Sequence, residues 1–156
     1  MEVYMNTKIQ LAMDKLLHDN AIAELRLLNH GLYDSNLTYN DILYLSIIEA
    51  HSGEYTASNI ADMLHVSRPA VTQKINELEK NGYLYKVQSQ TDKRVFKLFI
   101  DKEGKSRKYY EIADKTVMDI VAKLSLNYSI EQLDLFCEIT NIIGDLLLAE
   151  MPRGDQ

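Results

Sequence analysis

The chain has 156 residues and a formal net charge of −6, with 46% hydrophobic and 26% charged residues. That is room for one good core and an ordinary globular composition, not a disordered or fibrous one. No run is long and apolar enough to span a bilayer, the N-terminus lacks a basic start followed by an apolar run, and one cysteine excludes an internal disulfide framework. These features fit a cytoplasmic protein with no membrane partner.

Apolar residues at Ile9, Met13, Leu16, Leu17, Leu25 and Leu28 predict a first helix over residues 4–31. A break at Asp34-Ser35-Asn36 follows. Thr38 then opens a second helix, with Asp41 placed for a capping box and Ile42, Leu45 and Ile48 inward. After Ser52-Gly53, a short helix carries Ile60, Ala61 and Leu64 on one side. Pro69 separates it from the next helix, because proline suits a first turn and disfavours helical geometry in the residue before it. That helix ends at Asn81-Gly82, a C-terminal glycine signal.

There the apolar period changes from helical to two. "YLYKVQ" (83–88) and "RVFKLFI" (94–100) read as a hairpin around the loop "SQTDK". Asp101 is placed to cap a helix over 102–124, "LNYS" breaks it, and a last helix covers 130–149. The fold class is therefore mainly α with a β wing, a winged helix-turn-helix flanked by long helices. The expected parts are an N-terminal dimerisation helix (1–36), the winged module (37–101), C-terminal dimerisation helices (102–150) and a tail (151–156).

Charge is unevenly placed. Residues 53–108 hold eleven Lys/Arg against seven Asp/Glu, a net +4, which leaves −10 for the rest. A basic centre in an acidic chain points to a nucleic-acid face. On the helix from Arg68, the stripe Val71, Ile75, Leu78 must face the core. The opposite face offers Pro69, Gln73, Asn76 and Lys80, with Thr72 on the flank. Asn and Gln can bond adenine edges bidentately, and Thr can meet a thymine methyl. Ser67 and Arg68 stand at the helix N-terminus, where backbone N–H groups favour phosphate. Lys74, Lys86, Lys93, Arg94 and Lys97 complete the candidate DNA-binding set. Asp92, two residues before Arg94, is placed to hold its guanidinium or to cap hairpin amides.

Residues 37–104 resemble the MarR family of bacterial transcriptional regulators. The resemblance is carried by "LT" (37–38), "IADML" (60–64), "VSRPAVTQKINELEKNGYLYK" (66–86), the wing signature "DKR" (92–94) and "IDKEG" (100–104). Ile100-Asp101 stands where the family usually has Leu-Thr, and Lys86 where it often has Arg, which loses the bidentate fork. The resemblance implies an obligate homodimer whose first and last two helices intertwine, with two winged modules on a pseudo-palindromic operator in double-stranded DNA. It also implies a repressor, working by competition between DNA-bound and effector-bound spacings of the two recognition helices. The apolar terminal helices agree: Ile112, Val117, Ile120, Val121 and Leu124 in one, Leu133 to Leu147 in the other, too much surface for two helices to bury against each other.

The family often binds small aromatic or phenolic anions between the dimer region and the winged module. Tyr33, Tyr39, Tyr44, Tyr109 and Tyr110 fall there and form the candidate effector cleft, against a structural reading of them as interface and core filler. No resident cofactor is expected. His18, His30, His51 and His65 lack metal-site spacing. Cys137, beside Phe136 in an apolar helix, is expected to be buried and inert. No nucleophile–base pair, phosphate loop or metal triad marks an enzyme. The alternative from another class is a winged helix used for protein–protein contact without DNA.

Overall fold

A computed structural model describes residues 2–29, 36–105 and 107–150. The elements run α1 (Glu2–Asn29), α2 (Tyr39–Ala50), α3 (Ala57–Leu64), α4 (Arg68–Lys80), β1 (Leu84–Gln88), β2 (Phe96–Ile100), α5 (Arg107–Asn127) and α6 (Ile130–Glu150). The fold class is the winged helix read from the sequence.

Local chemistry sets the boundaries. Thr38 caps α2 through a full capping box with Asp41, and Thr56 does the same for α3 with Asn59. Ser67 caps α4 by accepting from the Ala70 amide, and Pro lies in the first turn. α4 ends in a Schellman motif. Tyr83 N–H reaches the Leu78 carbonyl at 3.0 Å, Gly82 N–H reaches Glu79 at 2.9 Å, and Gly82 adopts φ +78°. Tyr83 and Leu78 are both buried, which gives this end its apolar clasp.

The core sits in the winged module. Ile48, Ile60, Val71, Ile75, Leu78, Tyr83, Leu84 and Leu98 form one buried cluster that Tyr110 of α5 joins. β1 and β2 pair antiparallel, with Lys86 opposite Leu98. The loop after α2 adds to the β2 edge: Gly53 N–H donates to Leu98 O at 2.9 Å and Leu98 N–H to Tyr55 O at 3.1 Å. A Cβ on Gly53 would stand 2.7 Å from the Phe99 ring, and φ is +78° there, so only glycine fits without strain.

Three expectations need correction. Both strands are shorter than read. Tyr83 closes the α4 terminus, and Arg94 and Val95 belong to the loop because Asp92 captures their amides, through Oδ1 at 2.9 Å and its carbonyl at 2.9 Å. α5 starts at Arg107 rather than 102. Asp101 caps a turn, accepting from Gly104 N–H at 3.0 Å, and no helix begins on that cap. Cys137 is exposed, since among the described residues α6 has no element covering that side.

The terminal helices leave large apolar side chains in solvent. Leu16 and Leu25 of α1, Val117, Ile120 and Val121 of α5, and Phe136, Ile139, Ile142 and Leu146 of α6 are all exposed. Among the described residues no helix is long and apolar enough to cross a membrane.

Candidate nucleic-acid interface

Each part of the predicted face is set by a neighbouring element. α4 buries Val71, Ile75 and Leu78, which turns Pro69, Thr72, Gln73 and Asn76 outward. The α3–α4 turn that aims it passes through His65, in the left-handed region at φ 53°, with Val66 N–H bonded to Ala61 O at 3.1 Å. In the sequence His65 is weighed only as a metal ligand, not as the residue that makes this turn.

The wing tip is ordered by its own side chains. Arg94 is 91% exposed, and its Nε and Nη2 donate to the two Asp92 oxygens, each at 3.2 Å. These bonds hold the Asp92 carboxyl below the usual range. Gln88 Nε2 donates to Lys93 O at 2.6 Å, and Ser89 N–H to Val95 O at 2.8 Å. The bonds to Asp92 favour one direction for the Arg94 guanidinium, next to an exposed Lys93.

α4 and the wing enclose a concave space of about 360 Å³ lined by Thr56, Ala57, Thr72, Asn76, Lys86 and Arg94. Its lining brings two of the predicted base-reading residues, Thr72 and Asn76, together with the predicted wing arginine, while Gln73 lies outside it.

The other predicted cations differ in what they can do. Arg68 is exposed and meets both Asp62 oxygens at 3.3 Å. Lys97 donates to the Glu54 carbonyl, tying β2 to the α2–α3 loop. Lys86 is half-buried and bonds Glu79 at 2.6 Å and Asn76 Oδ1 at 2.5 Å. Lys74 is also drawn inward. Its ammonium lies 2.6 Å from Asp41, whose side chain is 7% exposed, with Glu77 at 3.4 Å. The Asp41 hydrogen bond raises the Lys74 pKa against the opposing effect of burial. Lys74 and Lys86 thus have carboxylate partners in place, and the links to Asp41 and Glu79 join separate elements that helical spacing does not pair.

Of the tyrosines, Tyr110 is core, and burial pushes its phenol far above the ordinary range. Tyr44 and Tyr109 pack against that core, with Tyr109 edge-on to Tyr110. Tyr39 stands apart, lining a space with Ala21, Leu25 and Leu28 of α1. Tyr33 lies outside the described residues. Among those residues no group of three or more His, Cys, Asp or Glu is placed to hold a metal ion.

Residues 37–96 match the profile of the MarR family. The chain carries a MarR-family domain. Its boundaries run from the capping residues of α2 to the start of β2, and it is the domain of a winged-helix transcription regulator rather than an enzyme. Solved structures extend the likeness of fold to the flanking helices. Streptococcus pneumoniae FabT in complex with DNA superposes with a TM-score of 0.59 at 21% identity, over 90% of this chain and 96% of that one. A MarR-family transcriptional regulator from Listeria monocytogenes complexed with 26mer DNA gives 0.53 at 19%, over 88% of each chain. A MarR protein from Peptoclostridium difficile gives 0.52 at 20%, over 91% and 88%. No curated protein sequence matches.

On α4 of this MarR domain, Gln73 is exposed. Gln73→Ala is expected to weaken binding to a preferred duplex by about 1–3 kcal/mol and to leave random duplex almost unchanged, measured by titration of both. An equal loss on both would make Gln73 a backbone contact.

Proposed function

We propose that the protein is a cytoplasmic, sequence-specific regulator of transcription that binds double-stranded DNA as a homodimer and represses from a pseudo-palindromic operator. The observation that carries this reading is the pairing of an outward Thr72-Gln73-Asn76 surface on α4 with an ordered wing tip presenting Lys93 and Arg94. Helix and ribbon in that relation fit a major groove and the minor groove beside it.

The dimer is supported by the exposed apolar faces of α1, α5 and α6. Such a surface in water would cost far more than isolated exposed residues do, and a second copy of the same helices covers it. Two modules then place their recognition helices in successive major grooves, roughly 34–36 Å apart. Effector control by a small aromatic or phenolic molecule would act where α5 meets the winged module. There Tyr109 and Tyr110 pack on the core and Lys102 bonds Glu49 at 2.7 Å.

Selection of bound duplexes from a random pool tests the DNA reading, and a protein-docking winged helix would select none. Sedimentation at low micromolar concentration is expected to give twice the 18.0 kDa chain mass. A folded monomer would remove the two-half-site mechanism.

A further inference from the structure

We propose that Lys86 is a positioning residue for base reading: it turns the carboxamide of Asn76 so that Asn76 offers the DNA a hydrogen-bond donor. Asn76 then reads an acceptor on a base edge, not the paired donor and acceptor of adenine. The inference rests on the DNA reading above and specifies its chemistry.

A lysine ammonium has three donors and no acceptor. The Asn76 atom it meets at 2.5 Å is therefore necessarily the carboxamide oxygen. The oxygen and nitrogen of a planar carboxamide point apart, so turning the oxygen toward β1 turns the amide group away from it. A free asparagine can accept from adenine N6 and donate to adenine N7 at once. A carboxamide oxygen has two lone pairs, so the bond to Lys86 acts by orientation: it turns the oxygen toward β1 and leaves Asn76 with the donating half of that pair facing the DNA. Its fitting partners are purine N7, guanine O6 and thymine O4, all acceptors in the major groove.

Lys86 is well suited to hold this orientation. It projects from β1, one element away from α4, and its side chain is only 21% exposed. Glu79, one turn beyond Asn76, takes the same ammonium at 2.6 Å. The carboxylate balances the charge, which weakens any pull toward phosphate, and anchors the ammonium beside Asn76. Asn76 and Lys86 both line the concavity between α4 and the wing, where a base edge would be read.

The test uses the full chain and the duplex it selects. Binding is measured to that duplex and to its complete set of single base-pair changes. The parent is expected to discriminate about tenfold at one base pair of the half-site, and Asn76→Ala to erase that preference. Lys86→Met should reduce it to less than about threefold while Lys86→Arg retains it. Asn76→Asp keeps Lys86 as its partner but replaces the donor with an acceptor. It should move the preference to a base presenting an amino group, cytosine or adenine, and it tests the idea even where Lys86→Met does not fold. Unchanged base preference in folded Lys86→Met, with affinity lowered alike for all sequences, would make Lys86 a phosphate contact and overturn the proposal. So would Asn76→Asp with the parent's preference. A parent that selects no duplex overturns the DNA reading first, and this inference with it.

Discussion

Asp41→Ala is expected to lower the unfolding free energy by about 3 kcal/mol, the low end of the range for breaking a buried ion pair. Asp41 collects three donors into a site that solvent barely reaches. Thr38 N–H lies at 2.8 Å, Thr38 Oγ1 at 2.6 Å and Lys74 Nζ at 2.6 Å. The substitution therefore removes half of the α2 capping box and leaves Lys74 with Glu77 alone. The low end applies because Lys74 is 22% exposed and water can reach the freed ammonium. Asp41→Asn, which keeps an acceptor for Thr38, should cost less. Urea unfolding at one fixed protein concentration measures both, since the apparent stability of the proposed dimer would move with concentration. A loss near zero would place this pair with ordinary surface ion pairs. Burial pushes the Asp41 carboxyl up, but the hydrogen bonds from Lys74 and Thr38, with the Lys74 charge, outweigh it and the net shift is downward. A depressed carboxylate stabilises fully above its unfolded value and loses that contribution as pH falls through the folded one. Lys74 is raised, so its share is complete below its ordinary value and is lost as pH rises through the higher folded one. The gap between parent and Asp41→Ala should be flat from about pH 5 to 9 and close in stronger acid.

The same pair shows what could be read from the chain and what could not. The α4 stripe Val71, Ile75, Leu78 and the Asn81-Gly82 stop are local signals, with period and punctuation inside one element, and the fold follows them. The Thr38–Asp41 box was legible for the same reason. The Thr56–Asn59 box carries the same three-residue spacing and could have been found by it. The partners of Lys74 and Lys86 could not. Asp41 precedes Lys74 by 33 positions, and Asn76 precedes Lys86 by 10 across a helix end and a turn. Counting lysines on one face treats them as equal phosphate contacts, whereas tertiary packing gives two of them carboxylate partners. The α5 start misled because Asp at a cap position serves a turn as well as a helix, and only the path of residues 101–104 decides between them.

Arg94→Ala is expected to leave the fold and the proposed dimer intact and to weaken binding to the proposed operator on the order of tenfold or more, the scale of one good specific contact. The side chain is almost wholly exposed and makes its contacts with Asp92, inside its own loop, so its loss opens no cavity. A narrow A·T-rich minor groove carries a strongly negative potential that attracts an inserted arginine. Insertion costs least when the guanidinium is already aimed. The two bonds to Asp92 supply that aim, and the Arg94 N–H to Asp92 Oδ1 bond at 2.9 Å fixes the backbone beneath it. Arg94→Ala should accordingly reduce any preference for A·T pairs flanking the half-sites, measured on duplexes that differ only there. Asp92→Ala separates aim from charge. It removes a negative group from beside the phosphates, so charge alone predicts tighter binding. Loss of the guanidinium's support predicts weaker binding, and that is the expected result. Tighter binding by Asp92→Ala would leave Asp92 as a repulsive charge with no orienting role. Parent-like binding by Arg94→Ala at near-physiological salt would place the wing outside the groove.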